Sequence, residues 1–192
     1  MSRQRLNESI ATRRLVLRPL QQADAGAIDT LCVHDFEVLR WMTSLPWPPE
    51  DGATADFIAA AADQDPVSGE AAFAVTLGGI LIGLVSIRAP GDLAEHPDCP
   101  TLGYWIGRPF QGFGYAGEAA VAALDWAFAA HGCTAVAARA FADNAASRKV
   151  LARLGFRETG RTTRRSKALG REVENVVLRL ERDERRQTEA AQ

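Results

Sequence analysis

The residues best suited to chemistry lie at 107–116, Gly107-Arg108-Pro109-Phe110-Gln111-Gly112-Phe113-Gly114-Tyr115-Ala116. An apolar, strand-like run precedes them and a helical pattern follows, so they join a strand to the start of a helix. The first turn of a helix carries free backbone N–H groups and a partial positive charge, a natural seat for phosphate. Glycine at 112 and 114 removes the side chains that would keep two linked phosphates away from the main chain. No lysine followed by serine or threonine completes the segment, which excludes a nucleoside-triphosphate P-loop. The same letters satisfy Gly112-x-Gly114-x-x-Gly117, the fingerprint of an NAD(P)-binding oxidoreductase, with Asp143 as the ribose acid. Against that reading, the loop follows a hairpin instead of opening a βαβ unit, and Asp143 stands 26 residues beyond Gly117. The remaining chain is also too short for six Rossmann strands.

A second group lies downstream. Asn144, Ser147, Leu151 and Leu154 fall at offsets 0, 3, 7 and 10, on one side of a helix. Two polar residues therefore share the inward stripe with leucines. They need partners, supplied either by a bound ligand or by an N-cap and a hydroxyl bonding back into the helix. Trp41 and Trp47 flank a loop stiffened by Pro46, Pro48 and Pro49, where they line a groove or close the edge of the core. His96, Cys99, His131 and Cys133 offer zinc-ligand types, but His131-Gly132 reads as a helix end and no CxxC is present. No metal is expected. Three widely spaced cysteines give no disulfide framework.

These residues need a scaffold. Residues 13–20 alternate as a first strand, with Leu15 and Leu17 on one face and Val16 and Arg18 on the other. Asp24 caps a helix to about residue 33, with Ala25, Ile28 and Leu31 facing inward. A short helix leads into the proline loop, and another runs through Phe57 and Ile58. Residues 72–77 and 80–87 form an antiparallel hairpin around Gly78-Gly79. A strand at 102–107 places Leu102, Tyr104 and Ile106 on one side. A helix at 115–130 follows, with Gly117, Val121, Leu124 and Phe128 as its stripe. Then come a strand at 134–141, the helix to Leu154, and strands at 156–162 and 174–180. The order β-α-α-β-β-β-α-β-α-β-β predicts one α/β (α+β) domain over 12–182 with a mixed, mostly antiparallel central sheet. Residues 1–11 and 183–192 are expected to be flexible.

Gln111-x-x-Gly114-x-Ala116 resembles the Q/R-x-x-G-x-G/A signature of the GNAT superfamily of N-acetyltransferases. The element order over residues ~13–181 is similar too. LGYWIGRPFQGFGYAGEA, Asn144-x-x-Ser147 and Leu154-Gly155-Phe156 are most similar to the branch that acetylates ribosomal-protein N-termini. The resemblance implies acetyl-CoA as co-substrate and direct transfer to a primary amine, on a protein N-terminus or a small molecule. It implies that Trp105 and Ile106 line the pantetheine arm through their backbone. Gln111, Gly112, Phe113, Gly114, Tyr115 and Ala116 would hold the pyrophosphate, and Asn144 and Ser147 would add contacts. The acceptor would enter past Trp41 and Trp47. Many relatives protonate the departing thiolate with a tyrosine where this chain has Leu151, which points to Ser147 as general acid. The usual glutamate base is replaced by Thr101, leaving Glu95, His96, Asp98, His34 and Glu37 as candidates acting through water. A coenzyme A-binding sensor without turnover is the other reading within this resemblance.

Composition excludes several classes. The 192 residues are 47% hydrophobic and 24% charged, with a formal charge of −2 and no basic half. Neither nucleic acid nor membrane is an expected partner, and the basic segment 161–171 reads as solvated strand edge. No run approaches the ~18 apolar residues of a membrane span. The polar start carries no signal-peptide pattern, so a cytoplasmic monomer or homodimer is expected.

Overall fold

The computed structural model describes residues 9–185. One sheet organises it. Its strands are β1 (Ile10–Ala11), β2 (Val16–Pro19), β3 (Glu70–Leu77), β4 (Ile80–Arg88), β5 (Thr101–Ile106), β6 (Ala135–Phe141), β7 (Arg157–Ser166) and β8 (Arg171–Glu181). They lie in the order β1-β2-β3-β4-β5-β6-β8-β7. Only β5 and β6 run parallel; every other neighbouring pair is antiparallel. The β3–β4 hairpin turns through Gly78 and Gly79 at φ 57° and 84°, as the sequence predicts.

The irregularity that matters is between β5 and β6. Those strands pair at only two positions, Thr101↔Ala137 and Leu102↔Ala138. On its other edge β5 stays paired with β4 from Arg88↔Thr101 to Gly83↔Ile106. Beyond Leu102, then, β5 follows β4 and leaves β6, and a wedge opens in the sheet. Backbone alternation decides which groups face it. The Ala137 N–H donates to Pro100 O and the Gly107 N–H to Ile82 O, each at 2.9 Å. Even-numbered residues of β5 therefore direct their amides and carbonyls toward β6, and odd-numbered ones toward β4. Tyr104 and Ile106 face the wedge, whereas the Trp105 amide turns to β4.

The helices that bear on the fold are α1 (Ala25–Ile28), α2 (Phe36–Leu39), α3 (Ala53–Asp63), α4 (Tyr115–His131) and α5 (Ala145–Arg153), with further helical residues at 182–185. The long helix α4 covers one face of the sheet. Its Ala119, Ala120, Ala123, Leu124 and Ala127 are fully buried against strand residues including Phe73, Val85, Ile87 and Leu102. Methyl side chains let the helix axis lie close to the strands, so one turn of α4 sits directly over the wedge. The expected stripe through Val121 is displaced: Val121 is 39% exposed, and the buried face centres on the alanines, which periodicity counts as weakly apolar. On the opposite face, α1 and α3 bring Ile28 and Ile58 onto Ala74 and Leu81, with Trp105 packed beside them.

Other expectations need correction. Asp24 stands at the N-cap position of α1 but gives the helix no side-chain bond; its carboxylate instead accepts from the Gln21 N–H, in a capping box on the preceding 3₁₀ turn, and forms a two-oxygen ion pair with Arg18. A 3₁₀ turn before α1 and a π turn after it replace the single regular helix expected to residue 33. Ile10 and Ala11, expected to be frayed, pair with β2. At the other end Arg185 is buried and ion-paired to Asp125, so the ordered domain runs past residue 182; residues 1–8 and 186–192 lie outside the described part. No helix among the described residues is long and apolar enough to cross a membrane.

Gly83 is where β4 admits β5 closely. A Cβ there would strike Trp105 O and come within 2.6 Å of Ile106 Cδ1. Gly83→Ala is expected to lower unfolding stability in urea by about 1–3 kcal/mol, the cost of overpacking a site whose neighbours include main chain.

Candidate active site

Past the wedge, β5 enters a 3₁₀ turn (Arg108–Phe110) and then the glycine loop. Gln111, Gly112, Phe113 and Gly114 are all exposed, so no other element covers the bend. Gly112 and Gly114 sit at φ 85° and 84°, a backbone conformation that side chains resist. The first helical bond of α4 runs from the Glu118 N–H to Gly114 O at 3.1 Å. The N–H groups of Tyr115, Ala116 and Gly117 therefore precede any helical acceptor and point out of the helix end. The amides of Gly112, Phe113 and Gly114 lie in the bend just before them. The Gln111 N–H does not join them, since it donates to Arg108 O at 3.2 Å. Its side chain acts on the strand instead. Gln111 Nε2 donates to Ile106 O at 2.8 Å and ties the loop to the last residue of β5.

Three residues outside the motif, Thr12, Arg14 and Glu118, hold the loop from the other side. Glu118 Oε1 accepts from Thr12 Oγ1 at 2.6 Å and from the Arg14 N–H at 2.7 Å, while Oε2 takes Arg14 Nε at 2.7 Å. The same guanidinium donates to Phe113 O at 3.0 Å and lies 4.6 Å from the centre of the Tyr115 ring. Burial works against the charged form of Glu118, but the bonds from Thr12 and Arg14 outweigh it and hold the carboxyl below its ordinary 4.5. Phe113 leaves its ring in solvent, stacked on Tyr115.

Across the wedge, α5 presents Asn144 and Ser147. Asn144 Oδ1 accepts from the Ser147 N–H at 3.0 Å, which is the N-cap reading of that residue. Its Nδ2 is left for other partners. Leu151 and Leu154 are buried below, as the helical spacing predicts. The Ser147 hydroxyl lies 3.0 Å from the phenol of Tyr104, which also donates to Ser147 O at 3.2 Å. Burial pushes that phenol up to about 12, against the opposing bond to Ser147, so it stays protonated at neutral pH. The sequence places Tyr104 on an inward face, but its pairing with Ser147, 43 residues away, has no local signal.

The opposite face carries the tryptophans. Trp47 is 40% exposed and lines a cleft of about 390 Å³ with Thr30, His34, Asp35, Phe36, Glu37 and Arg108. Its ring lies 5.2 Å from that of Phe36. Trp41 instead packs edge-on to Phe141 of β6, with Arg40 over it. Of the candidate bases, His34 and Glu37 line the cleft. Glu95 is held by Arg164, which contacts both its oxygens at 3.1 and 3.2 Å, and His96 Nε2 lies 2.7 Å from Thr159 Oγ1. Thr101, which stands where many relatives carry a glutamate, is buried with its hydroxyl unpartnered. Among the described residues no group of three or more His, Cys, Asp or Glu side chains is placed to hold a metal.

β5 thus peels from its parallel neighbour and runs into a glycine loop at a helix start. The family model of the acetyltransferase (GNAT) domain matches residues 14–157, and the chain belongs to that family. The dinucleotide-oxidoreductase alternative falls with the topology, because the described sheet contains one parallel pair where that fold needs a parallel sheet. Among solved structures, Mycobacterium smegmatis RimJ in complex with CoA-disulfide matches with a TM-score of 0.75 and 23% identity, covering 96% of this chain and 95% of that one. The ribosomal-protein-S5-alanine acetyltransferase of Vibrio fischeri matches at 0.74 and 20%, covering 92% and 97%. The microcin C7 self-immunity acetyltransferase MccE, in complex with acetyl-CoA and AMP, matches at 0.72 and 16%, covering 88% and 93%.

Because Glu118 titrates lower in the fold than its ordinary 4.5, its carboxylate adds stability above that pH and loses the contribution as pH falls through the folded value. Glu118→Gln is expected to melt several degrees below wild type at pH 7. Thermal scans toward acid should show the two midpoints converging only below pH 4.5.

Proposed function

We propose that this protein transfers the acetyl group of acetyl-CoA to a primary amine, by direct attack within a ternary complex. The alignment of the β5–β6 wedge with the amides at the start of α4 carries the reading. Side-chain-free space supports the fit: a Cβ at Gly112 or Gly117 would meet no atom within 4 Å. Bound there, acetyl-CoA supplies an acetyl thioester to the wedge. The amides of residues 112–117 grip the two phosphates, with Arg14 adding positive charge behind Phe113. Gln111 acts through its side chain, holding Ile106 O so that the strand leads straight into the loop. Tyr104 and Ile106 offer wedge-facing backbone to the pantetheine amides, and the Tyr104 N–H is the donor placed to polarise the thioester carbonyl. Asn144 Nδ2 adds a contact from α5.

Ser147 Oγ is the proton source for the leaving sulfur. When the Tyr104 phenol donates to Ser147 Oγ, the serine proton is free to point into the wedge. Direct attack is favoured because the cysteines are unfit as acyl carriers. Burial pushes Cys32 up to about 12 and raises Cys99 and Cys133, which leaves too little thiolate for a covalent step. The acceptor reaches the thioester from the Trp41 and Trp47 side, where His34 and Glu37 are placed to take its proton through water. The resemblance to the ribosomal-protein branch makes a protein N-terminus one acceptor class and a small amine the other.

Incubation with acetyl-CoA and a panel of amines, reading released thiol, tests the reaction. Thermal stabilisation by coenzyme A with no thiol released on any amine would shift the assignment to a sensor. Gly114→Val should weaken coenzyme A binding in calorimetry at least ~30-fold with the circular dichroism spectrum unchanged; wild-type affinity would remove the loop from the site. Ser147→Ala should lower kcat by about tenfold to a hundredfold with little change in KM, and a wild-type kcat would clear Ser147 of the acid role.

A further inference from the structure

Arg139 sits at the apex of the wedge and is not used by the chemistry above. It is the first residue of β6 past the last pair with β5, Leu102↔Ala138. Its neighbours Ala138 and Ala140 belong to the core under α4, so Arg139 faces the acceptor side, the same side as Thr101 and Phe141. The side chain is half-buried, and its bonding there is poor. Among the described residues, its one side-chain bond is a long 3.5 Å contact from Nη2 to Thr43 Oγ1. No carboxylate among the described residues lies within ion-pair distance of it. The charges nearby are committed elsewhere: Glu95 to Arg164, Asp92 and Glu70 to Arg88. Burial, with repulsion from Arg164 and Arg88, lowers the Arg139 pKa, and the more distant Asp92 and Glu95 compensate only in part.

A half-buried cation without a counter-ion is an unfavourable arrangement that an anion would relieve. The facing position of β5 carries no side chain to shield the guanidinium. Gly103, which comes level with Arg139 as β5 departs, has no side chain, and a Cβ there would meet only Ser86 Oγ at 3.4 Å. The Thr101 hydroxyl, two residues back on the same face, is buried without a partner and can donate. Resting on the acetyl-transfer reading, we propose that Arg139 and Thr101 bind a carboxylate carried by the acceptor within one residue of its amine. A guanidinium is suited to this because its planar fork matches both carboxylate oxygens. The bound carboxylate would fix the amine at the wedge apex, beside the wedge-facing amide of Tyr104.

The probes are L-amino acids and their carboxamides, together with peptides bearing Asp or Asn, and Glu or Gln, as the first or second residue. Wild type should favour acids over amides by at least ~30-fold in kcat/KM, whichever source supplies the carboxylate. Arg139→Gln should bring that ratio to within about threefold of unity, mainly through KM for the acids, with coenzyme A affinity and melting temperature not lowered. Equal use of acid and amide by wild type, or an equal loss on both in Arg139→Gln, would overturn the proposal. Calorimetry of the same probes against the coenzyme A-bound protein reads the contact without turnover. Acid-selective binding abolished by Arg139→Gln upholds the anion site even if no acetyl moves, and equal binding of acids and amides rejects it. Failure to bind coenzyme A would instead defeat the transferase reading itself.

Discussion

Everything at this site depends on β5 keeping one partner and leaving the other. A strand inside a sheet normally bonds its amides to both neighbours, and buried main-chain groups left unpaired are costly. Here β5 is fully paired to β4 but meets β6 at two positions only, so Tyr104 and Ile106 keep wedge-facing groups that a ligand can satisfy. The arrangement persists because β5 is fastened elsewhere. Gly83 lets β4 approach without a side chain between, and α4 packs its alanines over the opening. Gln111 Nε2 takes the carbonyl of Ile106 that would otherwise be left over at the strand's end. A ligand amide entering the wedge thus finds donors and acceptors already positioned, and little ordering remains to be done on binding.

The glycine loop is equally sparing of side chains. The grip proposed for it consists of main-chain N–H groups at a helix start, with side chains fixing their direction. Arg14 and Glu118 clamp the loop to the turn before β2, and Arg14 serves twice, as the partner of Glu118 and as a donor to Phe113 O. A clamp built from a charged pair suits a site that must stay open to solvent. It adds rigidity without covering the exposed glycines of the loop.

What the sequence reveals, and what it hides, follows from the range of the interactions. The glycine loop, the strand before it, α4, the Asn144 cap and the buried leucines of α5 are legible because each is set by neighbours within a turn or a hairpin. The role of Asp24 is misread for a related reason. Aspartate before an apolar run suggests a cap, but the nearby Arg18 holds it as an ion pair. Val121 misleads because alanine, though it buries well, hardly registers in an apolar stripe, so the true contact face of α4 looks blank. Tyr104 with Ser147, Arg14 with Glu118, and Ile10 with β2 join segments that only the tertiary fold brings together. The mixed α/β class and the sheet's largely antiparallel character are legible, but the two-residue contact between β5 and β6 is not, since no pattern in either strand marks where they part.

The two sides of the wedge are therefore built on different principles. In the proposed reading, the phosphate side would use main chain, whose donors are the same in every sequence, so glycines and a helix start suffice to announce it. On the same reading, the acceptor side would use side chains drawn from the tryptophan loop, from β5 and from β6. Trp47 stands in a cleft with His34 and Glu37, Trp41 leans on Phe141, and Arg139 points at the apex. None of these segments is near another in sequence, and each residue taken alone reads as ordinary core or surface. On that proposal, a change of acceptor would fall on those side chains and leave the strand geometry proposed to hold the thioester untouched. Selectivity can thus vary on one face while the other, bound by backbone conformation, stays the same.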